Sequence, residues 1–201
     1  MAKPETPTRE RLLEAAYDLF YREGFARVGV DAIAEAAGLT KRTLYYHFES
    51  KDALFAEVLE HQHGLALRRI EVWAAGAADD PAAMLAALFA ELERWASQPA
   101  WRGPGFTRMA MELAGLPGHP ARAAASRHKA AVESWYAARF AEAGLAAPED
   151  LARQVMLLVE GAMALSLIHG EVRYLAAAAA TAKALLRGAH GSGFPDAPSA
   201  S

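Results

Sequence analysis

Apolar side chains recur at three- and four-residue intervals through most of this chain, the period of helices with one buried face. Leu12, Leu13, Ala16, Leu19 and Phe20 set a first helix from about Thr8 to Arg22, stopped by Gly24. Residues 30–37 read as a short second helix ended at Gly38, and Thr40 can cap a third, from Lys41 to about Phe48. Ser50 can cap a fourth, continuing to about Trp73. Pro81 suits the first turn of a helix over 81–97, which carries Leu85, Leu88, Leu92 and Trp95 on one stripe. A short helix over 106–113 and a long one over 120–143 follow, and helices 148–169 and 171–189 meet at Gly170. The pattern predicts an all-α protein of about nine helices. The polar stretch 1–7 is expected to fray, and the Gly/Pro/Ser/Ala-rich tail 191–201 to be disordered. A shift in composition near residue 50 separates a small N-terminal helical domain, 8–50, from a larger helical body, 51–190.

The stretch from Val30 to Phe48 fits a helix-turn-helix position by position. Ala34 falls where the two helices must cross, and a larger side chain would push them apart. Gly38 falls in the turn, where a positive φ suits glycine best. Ile33, Ala37, Leu39, Leu44 and Phe48 are spaced to share a small core. Lys41, Arg42, Thr43, Tyr45, Tyr46 and His47 are left facing outward, a cationic, hydroxylic and aromatic set suited to phosphate oxygens, base edges and thymine methyls. Residues 1–60 hold 8 basic and 11 acidic side chains, yet no acid lies between Glu35 and Glu49. A DNA-facing surface needs that local exclusion whatever the overall sign of the charge. An ordinary helical hairpin with a solvated face is the alternative, but it gives no reason for two tyrosines and a histidine on that face.

These residues resemble the N-terminal domain of the TetR family of bacterial transcriptional regulators. The likeness is carried by Gly24-Phe25, Ile33-Ala34, Ala37-Gly38-Leu39-Thr40, Thr43-Leu44-Tyr45-Tyr46-His47-Phe48 and Ser50-Lys51-Asp52-Ala53-Leu54. It covers about a quarter of the chain, residues 8–55. It implies an N-terminal three-helix helix-turn-helix DNA-binding domain, a C-terminal helical ligand-binding and dimerisation domain, and a homodimeric repressor. It also implies that Thr40, Lys41, Arg42, Thr43, Tyr45, Tyr46 and His47 read a pseudo-palindromic double-stranded operator and that Lys51 touches phosphate. Members often carry Thr or Ser before the second helix, whereas this chain has Val28-Gly29, so no DNA contact is assigned there.

One helix-turn-helix reads only a few base pairs, so useful specificity needs two copies one or more turns of DNA apart. The helix over 148–169 carries two apolar stripes: Leu151, Val155, Leu158, Ala162 and Leu165, then Met156, Met163 and Leu167. A helix apolar on two sides is buried on two sides. A homodimer through helices 148–169 and 171–189 is therefore expected, although an internal helix of a larger core would show the same pattern. Between these elements, aromatic and sulfur-bearing residues concentrate where a small-molecule effector would lodge. The candidates are Phe89, Trp95, Phe106, Met109, Trp135, Tyr136 and Met163, with Glu160 to orient the ligand. For any single aromatic or Met among them ordinary core packing is the stronger reading, and for Glu160 a buried salt bridge, so the assignment is of a region. Arg108 and Glu112 share a face at i, i+4 and suit either a ligand or a surface pair.

Composition narrows the rest. The 201 residues carry a net charge of −3, which rules out wholesale electrostatic binding of nucleic acid and makes any such binding local. There is no cysteine, so disulfide scaffolds, zinc fingers, iron–sulfur sites and cysteine nucleophiles are excluded. His61 and His63 lie two apart, a poor metal pair on a helix, and no metal or cofactor is expected. No phosphate-binding glycine loop, nucleophile elbow or His–Glu–x–x–His motif occurs, so an enzyme is not expected. No uninterrupted apolar run reaches about 18 residues and the N-terminus lacks an apolar signal core, so a cytoplasmic protein with no membrane partner is expected. A transcriptional activator of the same fold, or a helical carrier of apolar ligands without DNA binding, remains the alternative.

Overall fold

The computed structural model describes residues 7–77 and 80–191. The expected fraying of the first residues, Pro7 apart, and the expected disorder of the tail beyond residue 191 lie outside these. Among the described residues the order is α1 (Thr8–Glu23), α2 (Val30–Ala36), α3 (Lys41–His47), α4 (Lys51–Ala74), α5 (Pro81–Ala96), α6 (Gly105–Glu112), α7 (Pro120–Glu142), α8 (Pro148–His169) and α9 (Arg173–Gly191), with one 3₁₀ turn, Ala75–Ala77. Bounds fall within about two residues of those expected, because the chain punctuates its helices clearly. Thr40 caps α3 by accepting a hydrogen bond from the Thr43 amide. Asp80 caps α5, whose first residue is Pro81.

The chain divides into two compact units, one made of residues 1–69 and 102–130, the other of 70–101 and 131–201. The division falls inside α4 and α7 rather than near residue 50. In the first unit, Leu12, Ala16, Leu19 and Phe20 of α1 meet Ile33 and Ala34 of α2 and Leu44 of α3 in one core. That core continues through Leu54, Phe55, Val58 and Leu59 of α4, Met109 of α6, and Ala121 and Ala124 of α7. Phe20, Phe25 and Phe55 form its aromatic centre, with ring centroids 4.6–5.3 Å apart at tilted and edge-on angles. A composition shift marks a change in residue usage, whereas core membership depends on what α4 and α6 bury.

In the second unit α9 packs against both α8 and α5. Leu151, Val155, Met156, Ala162 and Met163 of α8 are buried, as are Leu175, Ala178, Ala182 and Leu186 of α9. Members of both expected stripes of α8 are thus consumed inside the chain. Leu165 and Leu167, expected on those stripes, are instead exposed, and with Leu157, Gly161, Ala164 and Ile168 they leave part of α8 open, Leu157 being 69% and Ile168 73% accessible. α8 is long and apolar enough to cross a membrane by length and composition, at a mean hydropathy of 1.6, although nearly half of that stretch is buried within its own unit.

One buried ionisable group bears on stability. His128 of α7 is 6% exposed, stacks on Phe106 at 3.9 Å between ring centroids, and has its Nδ1 3.1 Å from Nδ1 of His63. Burial, then the charges of Lys129, His63 and Arg69, push its pKa down from 6.5 to about 3. The unfolded chain therefore binds a proton that the native state excludes between those two values. This contribution is fully present above pH 6.5 and is lost as pH falls towards 3, by at most about 1.4 kcal/mol per pH unit. His128→Gln should flatten the fall in urea-melt stability between pH 7 and 5; a slope equal to the wild type would show that another group is responsible.

Candidate nucleic-acid interface and effector region

The third helix has only seven residues, and its position is set by what surrounds it. Leu44 and Phe48 point into the core, which forces Arg42, Tyr45 and Tyr46 outward. Tyr46 is 84% exposed and Tyr45 47%, while Thr43 and His47 are half-buried. The Tyr46 ring meets His47 edge-on at 5.1 Å. The Thr40 and Thr43 hydroxyls lie 2.9 Å apart and bond to each other. The turn that aims this helix has Gly38 at φ +65°, as its place in the pattern requires. Arg11 of α1 donates to the carbonyl of Ala37 at 2.6 Å, neutralising the C-terminal end of α2 beside that turn.

Two of the expected contact residues are held differently from the rest. Lys41 pairs with Asp31 on the first turn of α2, Nζ to Oδ2 3.0 Å, and this hydrogen bond raises its pKa. The stretch free of acid in sequence is therefore not free of acid in space. Lys51 stands apart from the α3 set: its ammonium donates to the Phe25 carbonyl at 2.5 Å and lies 4.0 Å from the Phe25 ring centre. Partial burial lowers its pKa.

Residues 12–58 match the family described as bacterial regulatory proteins, tetR family. A crystal structure assigned as a TetR transcriptional regulator from Streptomyces avermitilis superposes with a TM-score of 0.78 at 32% identity, covering 92% of this chain and 99% of that one. The chain belongs to the TetR family. Among curated relatives, the regulator AcrR of Shigella flexneri is 40% identical over 53 residues, 26% of this chain and 25% of its own length. The regulator TtgR of Pseudomonas putida is 41% identical over 56 residues, 28% of this chain and 27% of its own. This TetR-family chain thus matches only about a quarter of the length of these curated relatives.

The eight residues singled out for an effector divide between the two units of the TetR fold. Phe106 and Met109 belong to the first, and Phe89, Trp95, Trp135, Tyr136, Glu160 and Met163 to the second. Phe89, Tyr136 and Met163 are buried, and Trp95, Trp135 and Glu160 half-buried. Burial, then the charge of Glu160, pushes the Tyr136 hydroxyl pKa up, keeping it a neutral donor and acceptor. Among the described residues no three His, Asp or Glu side chains gather to hold a metal ion.

Sequence reasoning missed a clasp inside the first unit. Arg108 donates to the carbonyl of Tyr21 at the end of α1, at 3.0 Å. Glu112, one turn further along α6, accepts from the amides of Phe25 and Ala26 at 3.2 and 3.0 Å. Cation on helix C-terminus and carboxylate on free amides are the favourable polarities. The i, i+4 spacing showed that the pair shares a face but not which backbone it meets. Gly24 makes the approach possible: its φ is +87°, and a Cβ there would lie 3.1 Å from both Glu112 carboxylate oxygens.

Two outcomes follow from this geometry. Glu112→Ala should lower stability by about 1 kcal/mol in urea melts, because two amides lose an ionic acceptor and regain only water. Asp31→Asn should free Lys41 and remove a negative charge beside it, tightening binding to promoter DNA about two- to fivefold in fluorescence anisotropy, the scale of one exposed ion pair. Unchanged or weaker binding would mean that Lys41 does not face the duplex.

Proposed function

We propose that this protein is a dimeric, operator-binding transcriptional repressor whose affinity for DNA falls when a small, largely apolar or aromatic molecule occupies its body. The observation that carries the reading is the exposure of Arg42, Tyr45 and Tyr46 on a short capped helix whose inner side is fixed by Leu44 and Phe48. Large aromatic side chains left in water at that position suit thymine methyls and the sugar–phosphate backbone better than they suit solvent. In this reading residues 8–50 read the DNA, with Thr40, Lys41, Arg42, Thr43, Tyr45, Tyr46 and His47 as its contacts. Lys51 joins them only if its ammonium leaves the Phe25 carbonyl. Residues 51–190 bind the effector and form the dimer.

The dimer is assigned to helices 148–169 and 171–189. The exposed line of Leu157, Leu165 and Ile168, with Gly161 and Ala164 between them, favours close packing against a twin. Covering that line would also account for the high hydropathy of α8 without a membrane. Two heads would then meet successive major-groove faces of a pseudo-palindromic operator, about 34–36 Å or a multiple of it apart. Effector binding in such systems is coupled to DNA release by about 1–3 kcal/mol. A cytoplasmic location and the absence of catalysis belong to the same reading.

Genomic fragments retained by the purified protein supply the operator for the decisive test. Tyr45→Ala and Lys41→Ala should each abolish its binding while melting temperature and sedimentation stay as in the wild type. Two variants that shift the fragment like the parent would remove α3 as the reading element. Leu157→Glu with Ile168→Glu should convert the sedimenting species from dimer to monomer and weaken operator binding more than tenfold. Transcription from the bound promoter, measured with and without the protein, separates repression from activation.

A further inference from the structure

A half-open cavity of about 400 Å³ lies at the surface of the second unit, lined by Ala96, Ser97, Gln98 and Trp101 at and after the end of α5 and by Ser166, Leu167, Gly170 and Val172 around the end of α8. None of the eight effector candidates lines it. Its size sits at the small end of ligand pockets, which run from about 300 to 1,000 Å³, so it suits a molecule of one or two rings.

Three features define what it would hold. The first is Ser166, which is 2% exposed and whose hydroxyl has no hydrogen-bond partner. Helical serines and threonines ordinarily satisfy themselves on a carbonyl one turn back, and two in this unit do so: Ser97 on Glu93 and Thr181 on Ala177. A buried hydroxyl left without a partner is uncommon and has hydrogen-bonding capacity to give. The second is charge. None of the eight lining residues is ionisable, and the carbonyl ends of α5 and α8 both border the cavity. That field disfavours an anion, and a cation would find no carboxylate to replace its water. The third is Trp101, a flat apolar wall whose ring is braced edge-on by Trp95 at 6.3 Å.

We propose that this cavity binds a small, neutral ring compound bearing one hydrogen-bonding group, which pairs with the Ser166 hydroxyl while the ring lies against Trp101. The proposal rests on the effector-responsive reading above and gives it a site and a ligand class. In the chain, Trp101 is followed directly by residues 102–130 of the first unit. The two residues after it bracket one tyrosine of α1: the Arg102 amide donates to the Tyr21 hydroxyl, and that hydroxyl donates to the Gly103 carbonyl.

The test uses 2-naphthol as probe, with naphthalene and 2-naphthoate as its apolar and anionic counterparts, on the full-length protein without DNA. Calorimetry should show 2-naphthol binding, Ser166→Ala weakening it about tenfold with naphthalene unaffected, and 2-naphthoate at least tenfold weaker than 2-naphthol. In protein labelled with 5-fluorotryptophan, the Trp101 fluorine resonance, assigned through Trp101→Phe, should move on addition of 2-naphthol. No binding at millimolar probe, equal binding by the Ser166→Ala variant or by 2-naphthoate, or movement confined to Trp73 or Trp135 would each overturn the proposal. Operator binding by the ligand-free protein, measured in parallel, reports on the regulatory reading alone. Its failure would leave the calorimetry to decide the cavity, and its success beside a silent calorimeter would refute the cavity and spare the repressor.

Discussion

A seven-residue helix cannot hold its own shape in water, because one or two turns of hydrogen bonds do not offset the cost of nucleation. Everything that α3 does therefore depends on the burial of Leu44 and Phe48 against α1, α2 and α4. Those two side chains fix both the existence of the helix and its rotation. Tyr45 and Tyr46 face water as a consequence, because neighbours on a helix turn by about 100° per residue. The exposed aromatic face is the obverse of the buried one. The turn before it is fixed by a glycine at positive φ and by Arg11 on the carbonyl of Ala37, the residue that caps α2. In this protein, geometry at the surface is a property of the core.

The polar clasp of α6 extends that logic. Arg108 and Glu112 both hydrogen-bond to backbone, and they do so where α1 ends and its carbonyls and the following amides lack helical partners. Such contacts are directional, so a small rotation of α6 changes them sharply. Tyr21 is held at its hydroxyl as well as its carbonyl, the former by the segment leading into α6. The end of α1 is thus gripped from two sides by one stretch of chain, while the aromatic cluster of Phe20, Phe25 and Phe55 fills the space beneath.

Sequence disclosed the helices and the helix-turn-helix well, for reasons visible in single residues. Thr40, Gly38, Asp80 and Pro81 are punctuation whose meaning is local, and local meaning survives without coordinates. Leu44 and Phe48 could be assigned inward from spacing alone. Partnerships across the chain were hidden. Nothing in the run from Glu35 to Glu49 announces that Asp31 reaches Lys41 from the neighbouring helix. His63 and His128 are 65 positions apart and meet only through the folding of α4 against α7. On α8 most of the two expected stripes is buried, but Leu165 and Leu167 are exposed, because apolar spacing says only that a side is to be covered and not by which molecule. The accessible line proved to be Leu157, Leu165 and Ile168.

The route of the chain through its first compact unit bears on how such proteins diversify. Leu54, Phe55, Val58 and Leu59 lie beyond the first three helices, and Met109, Leu113, Ala121 and Ala124 come from a segment some fifty residues later, yet all close one core with α1 to α3. A recombination joint placed just after α3 would hand the incoming head a foreign lid, with mismatched volumes beneath Phe20 and Phe55 and no carboxylate for the amides of Phe25 and Ala26. Grafts that respect the packing must carry two stretches of gene together, the first ending within α4 and the second spanning α6 and the start of α7. A head moved without its α6 segment would leave this core open on one side.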